Sequence, residues 1–313
     1  MRHMISLAEV GPQNLSRLAD DALAFASQPE VTDQPLRGKI GGIYFRGTST
    51  RTRTSFTVGA LKLGAQVIAY GPNDLQLVTG ESIQDTTRVL SNFLDFLVIR
   101  TNSSIDEMRA LASQQRMSVI NAMSENEHPT QAIADLVTIK EALGRLNDVH
   151  VLYIGDGNNS AAALAIAVAM TEGMGLTLVT PEGYGLPDSL LTYATAMARR
   201  TGATVAQHHD VDALPKNVDV VYTTRWQTMG VPKADPNWQR QFTPYGVTQK
   251  MMERVSKPAG TIFLHDLPAM RGAEVTDEVL DGSQSRAFRQ AYHKLTCAMA
   301  VLKWCVAPTP PND

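Results

Sequence analysis

Residues 39–63 read KIGGIYFRGTSTRTRTSFTVGALKL. The first part, 39–45, is a short run of β-branched, aromatic and glycine residues and predicts a strand. Turn and hydroxyl residues follow, and 52–63 reads as a helix. The same order recurs down the chain. Further strands are predicted at 66–70, 96–100 and 118–122, with helices at 81–93, 106–115 and 130–143. After 144–148, a plausible hinge, the rhythm restarts. Strands fall at 149–154, 176–180, 204–208, 218–223 and 260–264, helices at 160–173 and 186–200, and a closing helix at 284–306. Strand–helix alternation of this kind implies parallel sheets with helices on both faces. The expectation is therefore an α/β chain of two doubly wound parallel-sheet domains joined by interdomain helices. These would cover residues 1–143 and 144–313, the C-terminal helix packing back on the first domain. Ligands of such sheets bind beyond the strand C-termini, so the residues after each strand are where chemistry is sought.

Composition narrows the function. The 313 residues are 43% apolar and 19% charged, enough for substantial cores. With 28 basic and 31 acidic side chains the formal charge is −3, which argues against a general nucleic-acid or acidic-membrane binder. Two cysteines, Cys297 and Cys305, exclude a disulfide-stapled fold and make a reducing cytosol the default. His293 stands four residues before Cys297, a spacing better explained by helix packing than by nucleophilic chemistry. No apolar run approaches the roughly 18 residues of a membrane span, the longest being the alanine-rich 161–170. The first residues, MRHMISLAEVGPQN, lack a signal-peptide core, and no lipidation signal closes the chain. A cytoplasmic protein is expected, without a metal or a bound cofactor.

Residues 34–73 contain no acid but six bases: Arg37, Lys39, Arg46, Arg51, Arg53 and Lys62. At their centre lies Thr48-Ser49-Thr50-Arg51-Thr52-Arg53-Thr54-Ser55, where the chain passes from strand to helix. A helix N-terminus offers unpaired N–H donors. Hydroxyls add neutral donors, and arginine grips phosphate with two parallel bonds. The bland alternative is a helix cap with solvated arginines. Arg100 ends the third strand, and His128-Pro129-Thr130-Gln131 follows the fourth and opens a helix. All three groups belong to the same sheet edge, and their convergence outweighs any one of them.

This constellation resembles the aspartate/ornithine carbamoyltransferase family over nearly the whole chain. The resemblance rests on Ser49-Thr50-Arg51-Thr52-Arg53, Gly80-Glu81-Ser82 with Asp85-Thr86, Arg100, and His128-Pro129-Thr130-Gln131. It continues in Asp156-Gly157-Asn158-Asn159, Trp226-Gln227-Thr228-Met229-Gly230 and His265-Asp266-Leu267-Pro268. It implies that an amine attacks the carbonyl carbon of carbamoyl phosphate, giving a ureido product and phosphate. By the same resemblance Ser49, Thr50, Arg51, Thr52 and Arg100 hold the phosphate. Thr52, Arg100 and His128 polarise the carbonyl oxygen. Gln131 and the Leu267 carbonyl orient the carbamoyl NH2. The chemistry asks for fixed donors where charge develops and for two reactants held together. The family forms trimers or multiples of them with sites at subunit interfaces, which would make Gln76, in the loop 71–82, a contact supplied to a neighbouring site.

The acceptor half is mixed. Asp156-Gly157-Asn158-Asn159 is similar to the ornithine-type branch, in which the second asparagine, here Asn159, binds the acceptor carboxylate. Trp226, Met229 and Gly230 keep that branch's outline, with Thr228 and Met229 as further acceptor contacts. Thr224, however, stands where an aspartate is expected. Arg225 and Gln227 resemble the aspartate-type branch, where they bind carboxylates. The ornithine-type His-Cys-Leu-Pro becomes His265-Asp266-Leu267-Pro268. Lys294 stands where many relatives carry an arginine that contacts the carbamoyl group, and Thr79 replaces a loop lysine or histidine. Arg225 predicts a carboxylate on the acceptor and Asp266 a cationic or donor-rich portion. A short diamino acid satisfies both better than plain ornithine or plain aspartate does. The alternative is that Arg225 and Asp266 pair with each other.

Two other functions compete. Gly155-Asp156-Gly157-Asn158-Asn159-Ser160 follows a strand and opens a helix as a nicotinamide-dinucleotide fingerprint does, but Ser160 replaces its third glycine and no ribose-binding acid ends the next strand. A catalytically degenerate binding or scaffold protein is the second, motivated by Lys294 and Thr79 and opposed by the intact 49–53 and 128–131 groups.

Overall fold

A computed structural model describes residues 1–28, 30–227 and 232–308. The chain divides into two compact units: residues 1–134 together with the chain from His293 onward, and residues 135–292. The crossings between them fall inside the helices Pro129–Leu143 and Ala287–Val306.

The first unit is built on a parallel sheet of β1 (Ile40–Phe45), β2 (Gln66–Tyr70), β3 (Phe96–Arg100) and β4 (Ser118–Met123) in the order β2-β1-β3-β4. Every residue of β3 and β4 is buried, as expected for central parallel strands rich in apolar residues; the polar exceptions are Arg100, Ser118 and Asn121. The outer edge of β4 is closed by the chain's own start: Met4 N–H bonds the Val119 carbonyl (2.9 Å) and Asn121 N–H bonds the Met4 carbonyl (2.7 Å). Gly41 is required on β1, because a Cβ there would lie 2.0 Å from the Phe96 ring. From β1 the chain winds to β2 on one side and later to β3 on the other. The winding therefore reverses between β1 and β3, and the crevice beyond their C-terminal ends is the topological switch point.

The second unit carries β5 (His150–Ile154), β6 (Gly175–Val179), β7 (Thr204–His208), β8 (Val220–Thr223) and β9 (Ile262–His265), all parallel, in the order β7-β6-β5-β8-β9. Here the winding reverses between β5 and β8. The alanine-rich helix Asn159–Ala169 is buried on every side, so the apolar stretch at 161–170 is core. Among the described residues no helix is long and apolar enough to cross a membrane.

The two-sheet α/β expectation holds. Boundaries move where local backbone dictates. The helix expected at 81–93 is Ile83–Leu90, started by the Ser82 cap. The strand expected at 260–264 starts at Ile262, after Gly260 with φ +92°. Val218 makes only an isolated bridge with Ser256, so that strand begins at Val220. The helices Leu7–Val10, Pro12–Ser27, Trp238–Phe242, Gln249–Val255 and Asp277–Leu280 had no predicted counterpart. The longest carried a start signal, Pro12 in its first turn after Gly11. The Cys297 thiol bonds the Thr130 carbonyl at 3.2 Å, a helix-packing contact.

Candidate active site

In the first unit the switch point gathers the residues that follow β1, β3 and β4. Thr50 occupies the N-cap of the helix Arg51–Lys62, yet its side chain makes no capping bond. The Thr50 hydroxyl is thus not consumed by capping. Ser49 and Arg51 are half-buried, Thr50 is exposed, and Thr52 is buried. Arg100 pairs in register with Phe45 at the end of β3, and the β3–β4 register shifts between Ile99 and Arg100. Such an irregularity re-aims a strand-end side chain. Arg100 and Lys294 are both buried cations.

His128 opens the helix Pro129–Leu143, its carbonyl accepting from Gln131 N–H at 3.0 Å. Thr52, Ser55, Phe56, His128, Thr130, Gln131 and Lys294 line one small pocket. Burial, then the charges of Lys294 and Arg100, hold the His128 imidazole well below its ordinary pKa. The ring is therefore neutral near pH 7, a hydrogen-bonding group in an electropositive pocket rather than a cation. Its Nδ1 is buried without a hydrogen-bond partner among the described residues.

The acid-free stretch is less isolated than its sequence implies. Glu107 pairs with Arg46, and Asp95 bonds Lys39 at 2.8 Å. Arg53 donates to the Tyr70 carbonyl (3.3 Å) and lies over the Phe45 ring. Distant acids thus neutralise two of the six bases. Gln76 is exposed in the short 3-10 helix Gln76–Thr79, its Oε1 accepting from the Thr79 hydroxyl at 2.6 Å.

Glu127, which the sequence did not single out, is buried immediately before His128 and accepts the Leu7 N–H at 2.8 Å. Burial raises its pKa from 4.5 to about 7. The native carboxyl keeps its proton where the unfolded one has already lost it. The contribution of this carboxyl to stability is thus fully present below pH 4.5 and is lost as pH rises through about 7. Glu127→Gln is expected to remove that loss and to be roughly 2–3 kcal/mol more stable than the native chain at pH 8, but not at pH 4. Parallel melting curves at both pH values check this.

In the second unit the switch point joins the turn after β5 to the residues after β8 and β9. Asn158 caps the helix Asn159–Ala169, its Oδ1 accepting from Ser160 N–H (2.9 Å) and Ala161 N–H (3.2 Å). The paired asparagines therefore divide their work: the first is structural, and Asn159 is buried at the first helical position. Asp266 accepts hydroxyl bonds from Ser160 (2.9 Å) and Thr224 (2.8 Å). Among the described residues Asp266 makes no hydrogen bond or ion pair with the half-buried Arg225, and its oxygens are held by the two hydroxyls instead. Ser160, the residue that spoils the dinucleotide fingerprint, is instead a carboxylate holder.

His265 is fully buried. Its Nδ1 accepts the Leu267 N–H at 2.9 Å, so the proton is assigned to Nε2, which lies 3.3 Å from Glu274. Leu267 has φ +51°, an uncommon conformation for a non-glycine residue that the imidazole contact holds in place. Gln227 is half-buried. Thr228 and Met229 lie outside the described residues.

Each sheet of this α/β protein presents a polar rim at its switch point, one lined by cations and hydroxyls and one centred on a carboxylate held by hydroxyls. Residues 2–141 match the carbamoyl-P binding domain of aspartate/ornithine carbamoyltransferase, and residues 147–305 match its Asp/Orn binding domain. The chain belongs to the aspartate/ornithine carbamoyltransferase family and is a carbamoyltransferase. It is 40% identical over 304 residues to an ornithine carbamoyltransferase of Caldicellulosiruptor saccharolyticus, covering 96% of this chain and 97% of that one. The Methanothermobacter thermautotrophicus ornithine carbamoyltransferase is 38% identical, covering 97% and 98%. Among solved structures, the ornithine carbamoyltransferase of Pyrococcus furiosus superposes with a TM-score of 0.92 at 33% identity, covering 99% of this chain and 98% of that one.

Proposed function

We propose that the first unit binds carbamoyl phosphate and the second a short diamino acid whose amine receives the carbamoyl group. Ser49, Thr50, Arg51, Thr52 and Arg100 are assigned to the phosphate. His128, Thr52 and Arg100 are assigned to the carbonyl oxygen, Gln131 and Leu267 to the carbamoyl NH2, and Lys294 to the donor's charge. The amine nitrogen attacks the carbonyl carbon, a tetrahedral intermediate forms, and the bond to the phosphate oxygen breaks. The departing phosphate accepts the amine proton. Charge builds on the carbonyl oxygen and on the phosphate, so preorganised donors do the catalytic work. The observation that carries this assignment is the small pocket in which Thr52, His128, Gln131 and the buried cation Lys294 meet: hydroxyl, imidazole, amide and ammonium together suit an anion that also carries a carbonyl.

On the acceptor side Asn159, Arg225, Gln227, Thr228 and Met229 are assigned to carboxylate and backbone contacts, and Asp266 to an ammonium. Two neutral hydroxyls orient Asp266, which leaves its charge available to a cationic substrate group. Ornithine, named in the relatives, is the longer diamino acid against which the shorter ones are compared. The proposal carries a trimer in the cytoplasm, with the exposed 3-10 turn at Gln76 reaching a neighbouring site.

The test combines carbamoyl phosphate with 2,3-diaminopropionate, 2,4-diaminobutyrate, ornithine and aspartate, each followed by mass spectrometry for the ureido product and by phosphate release. A higher kcat/KM with 2,3-diaminopropionate or 2,4-diaminobutyrate than with ornithine supports the proposal; product with ornithine alone, with aspartate alone, or with none refutes it. Asp266→Cys is expected to shift the ratio of kcat/KM between short diamino acids and ornithine by about tenfold, with the KM for carbamoyl phosphate unchanged. An unchanged ratio would remove Asp266 from acceptor selection.

A further inference from the structure

Lys233 carries a buried charge to which the assignments above give no role. Its Nζ lies 2.6 Å from Asp156 Oδ1, with both side chains only 11% exposed. Around the same nitrogen stand three aromatic rings: Tyr184 at 4.5 Å from the ring centre, Phe242 at 4.7 Å and Trp238 at 5.6 Å. One carboxylate and three aromatic faces are the groups that recognise an alkylammonium ion. An ordinary surface ion pair would be solvated and worth little. Here burial raises the Asp156 carboxyl even against the pull of Lys233, so the pair is held at a desolvation cost.

The cage joins the two stretches assigned to the acceptor. Phe242 is its hub, with ring centres 4.9 Å from Tyr184, 5.4 Å from Trp238 and 5.4 Å from Trp226. Trp226, between Arg225 and Gln227, covers Gly155: a Cβ on that glycine would lie 3.2 Å from the indole. On the other side, Gly157 N–H bonds the Tyr184 carbonyl at 2.8 Å, and a Cβ on Gly157 would fall 2.4 Å from the Gly185 carbonyl carbon. The turn 155–159 and the stretch 225–227 thus meet through the rings that surround the Lys233 ammonium.

We propose that Asp156, Tyr184, Trp238 and Phe242 form a receptor for a primary alkylammonium group, that Lys233 is its resident ligand, and that this occupancy positions Arg225 and Gln227 for the acceptor. Lys233 is a positioning residue. Its kinetic consequence rests on the transfer reading above; the ammonium-binding property of the cage does not.

The binding arm uses Lys233→Ala in the full chain. Truncation leaves the carboxylate and rings in place without their cation. Millimolar propylammonium chloride is expected to raise the melting temperature of this variant saturably, with no effect from equal sodium chloride or 1-propanol and none on the native chain. Rescue by 1-propanol equal to that by propylammonium, or no rescue by either, would overturn the receptor. The kinetic arm uses Lys233→Met, which keeps length without charge. The KM for the amino-acid acceptor is expected to rise about tenfold, with kcat and the carbamoyl phosphate KM within twofold. Lys233→Arg is expected to recover most of the loss. An unchanged acceptor KM in Lys233→Met would overturn the positioning role. A native chain that carbamoylates no amine would refute the transfer reading instead, and the melting experiment still decides the cage.

Discussion

Replacing Arg51 with alanine is expected to lower kcat/KM for carbamoyl phosphate by about a thousandfold or more, while the melting temperature stays within a few degrees of the native value. Arg51 is the first residue of the helix Arg51–Lys62 and is half-buried at the end of the connection from β1, so its truncation opens no core cavity. Its assigned partner is a phosphate whose negative charge grows as it leaves. A guanidinium meets that charge with two parallel N–H bonds, which a point charge cannot reproduce. Arg51→Lys should therefore recover only part of the loss. Steady-state phosphate release measured beside thermal unfolding separates this outcome from a folding defect. Near-native turnover in Arg51→Ala would remove the side chain from the phosphate site.

His128→Ala is expected to lower kcat by about a hundredfold to a thousandfold, and His128→Asn, which keeps an N–H donor, by less. The neutral state of the ring makes a further demand. Burial, Lys294 and Arg100 all disfavour the imidazolium, so the kcat profile should show no ionisation of His128 between pH 6 and 9. Lys294→Met removes one of those charges. The His128 pKa then rises, and the neutral donor is lost on the acid side of the profile at a higher pH than in the native enzyme. An acid limb in the native profile that vanishes in His128→Asn would contradict the neutral-donor role.

The alternating strand–helix rhythm made both sheets legible, because strands buried on both faces must be short apolar runs and the connections between parallel strands must be long. The meeting of Thr52, His128 and Gln131 in one pocket was legible for the same reason, because the stretches that carry them follow β1 and β4 along one sheet edge; Lys294, which lines the same pocket, comes from the C-terminal helix. What stayed hidden depends on partners far apart in sequence. Glu107 and Asp95 neutralise Arg46 and Lys39 from other elements. Ser160 and Thr224 are unremarkable until Asp266 is placed against both. Lys233 sits in a stretch without periodicity, and only the folded positions of Tyr184, Trp238 and Phe242 show that its charge is enclosed. Glu127 carried one unused signal: an acid directly between β4 and the His128 helix start, at the sheet edge where ligands gather. Pairwise chemistry of this kind has no signature in a single sequence. Periodicity and strand-end position do.

In the proposed reaction the rim formed by Ser49, Thr50, Arg51, Thr52 and Arg100, beside His128, grips a doubly charged donor. A crystal structure of the protein with a non-hydrolysable phosphonate analogue of carbamoyl phosphate tests it most directly. The phosphonate is expected against the start of the helix Arg51–Lys62 and the Arg100 guanidinium, with the carbonyl oxygen within hydrogen-bonding distance of His128. An analogue bound elsewhere, or a rim left empty at saturating analogue, would contradict it.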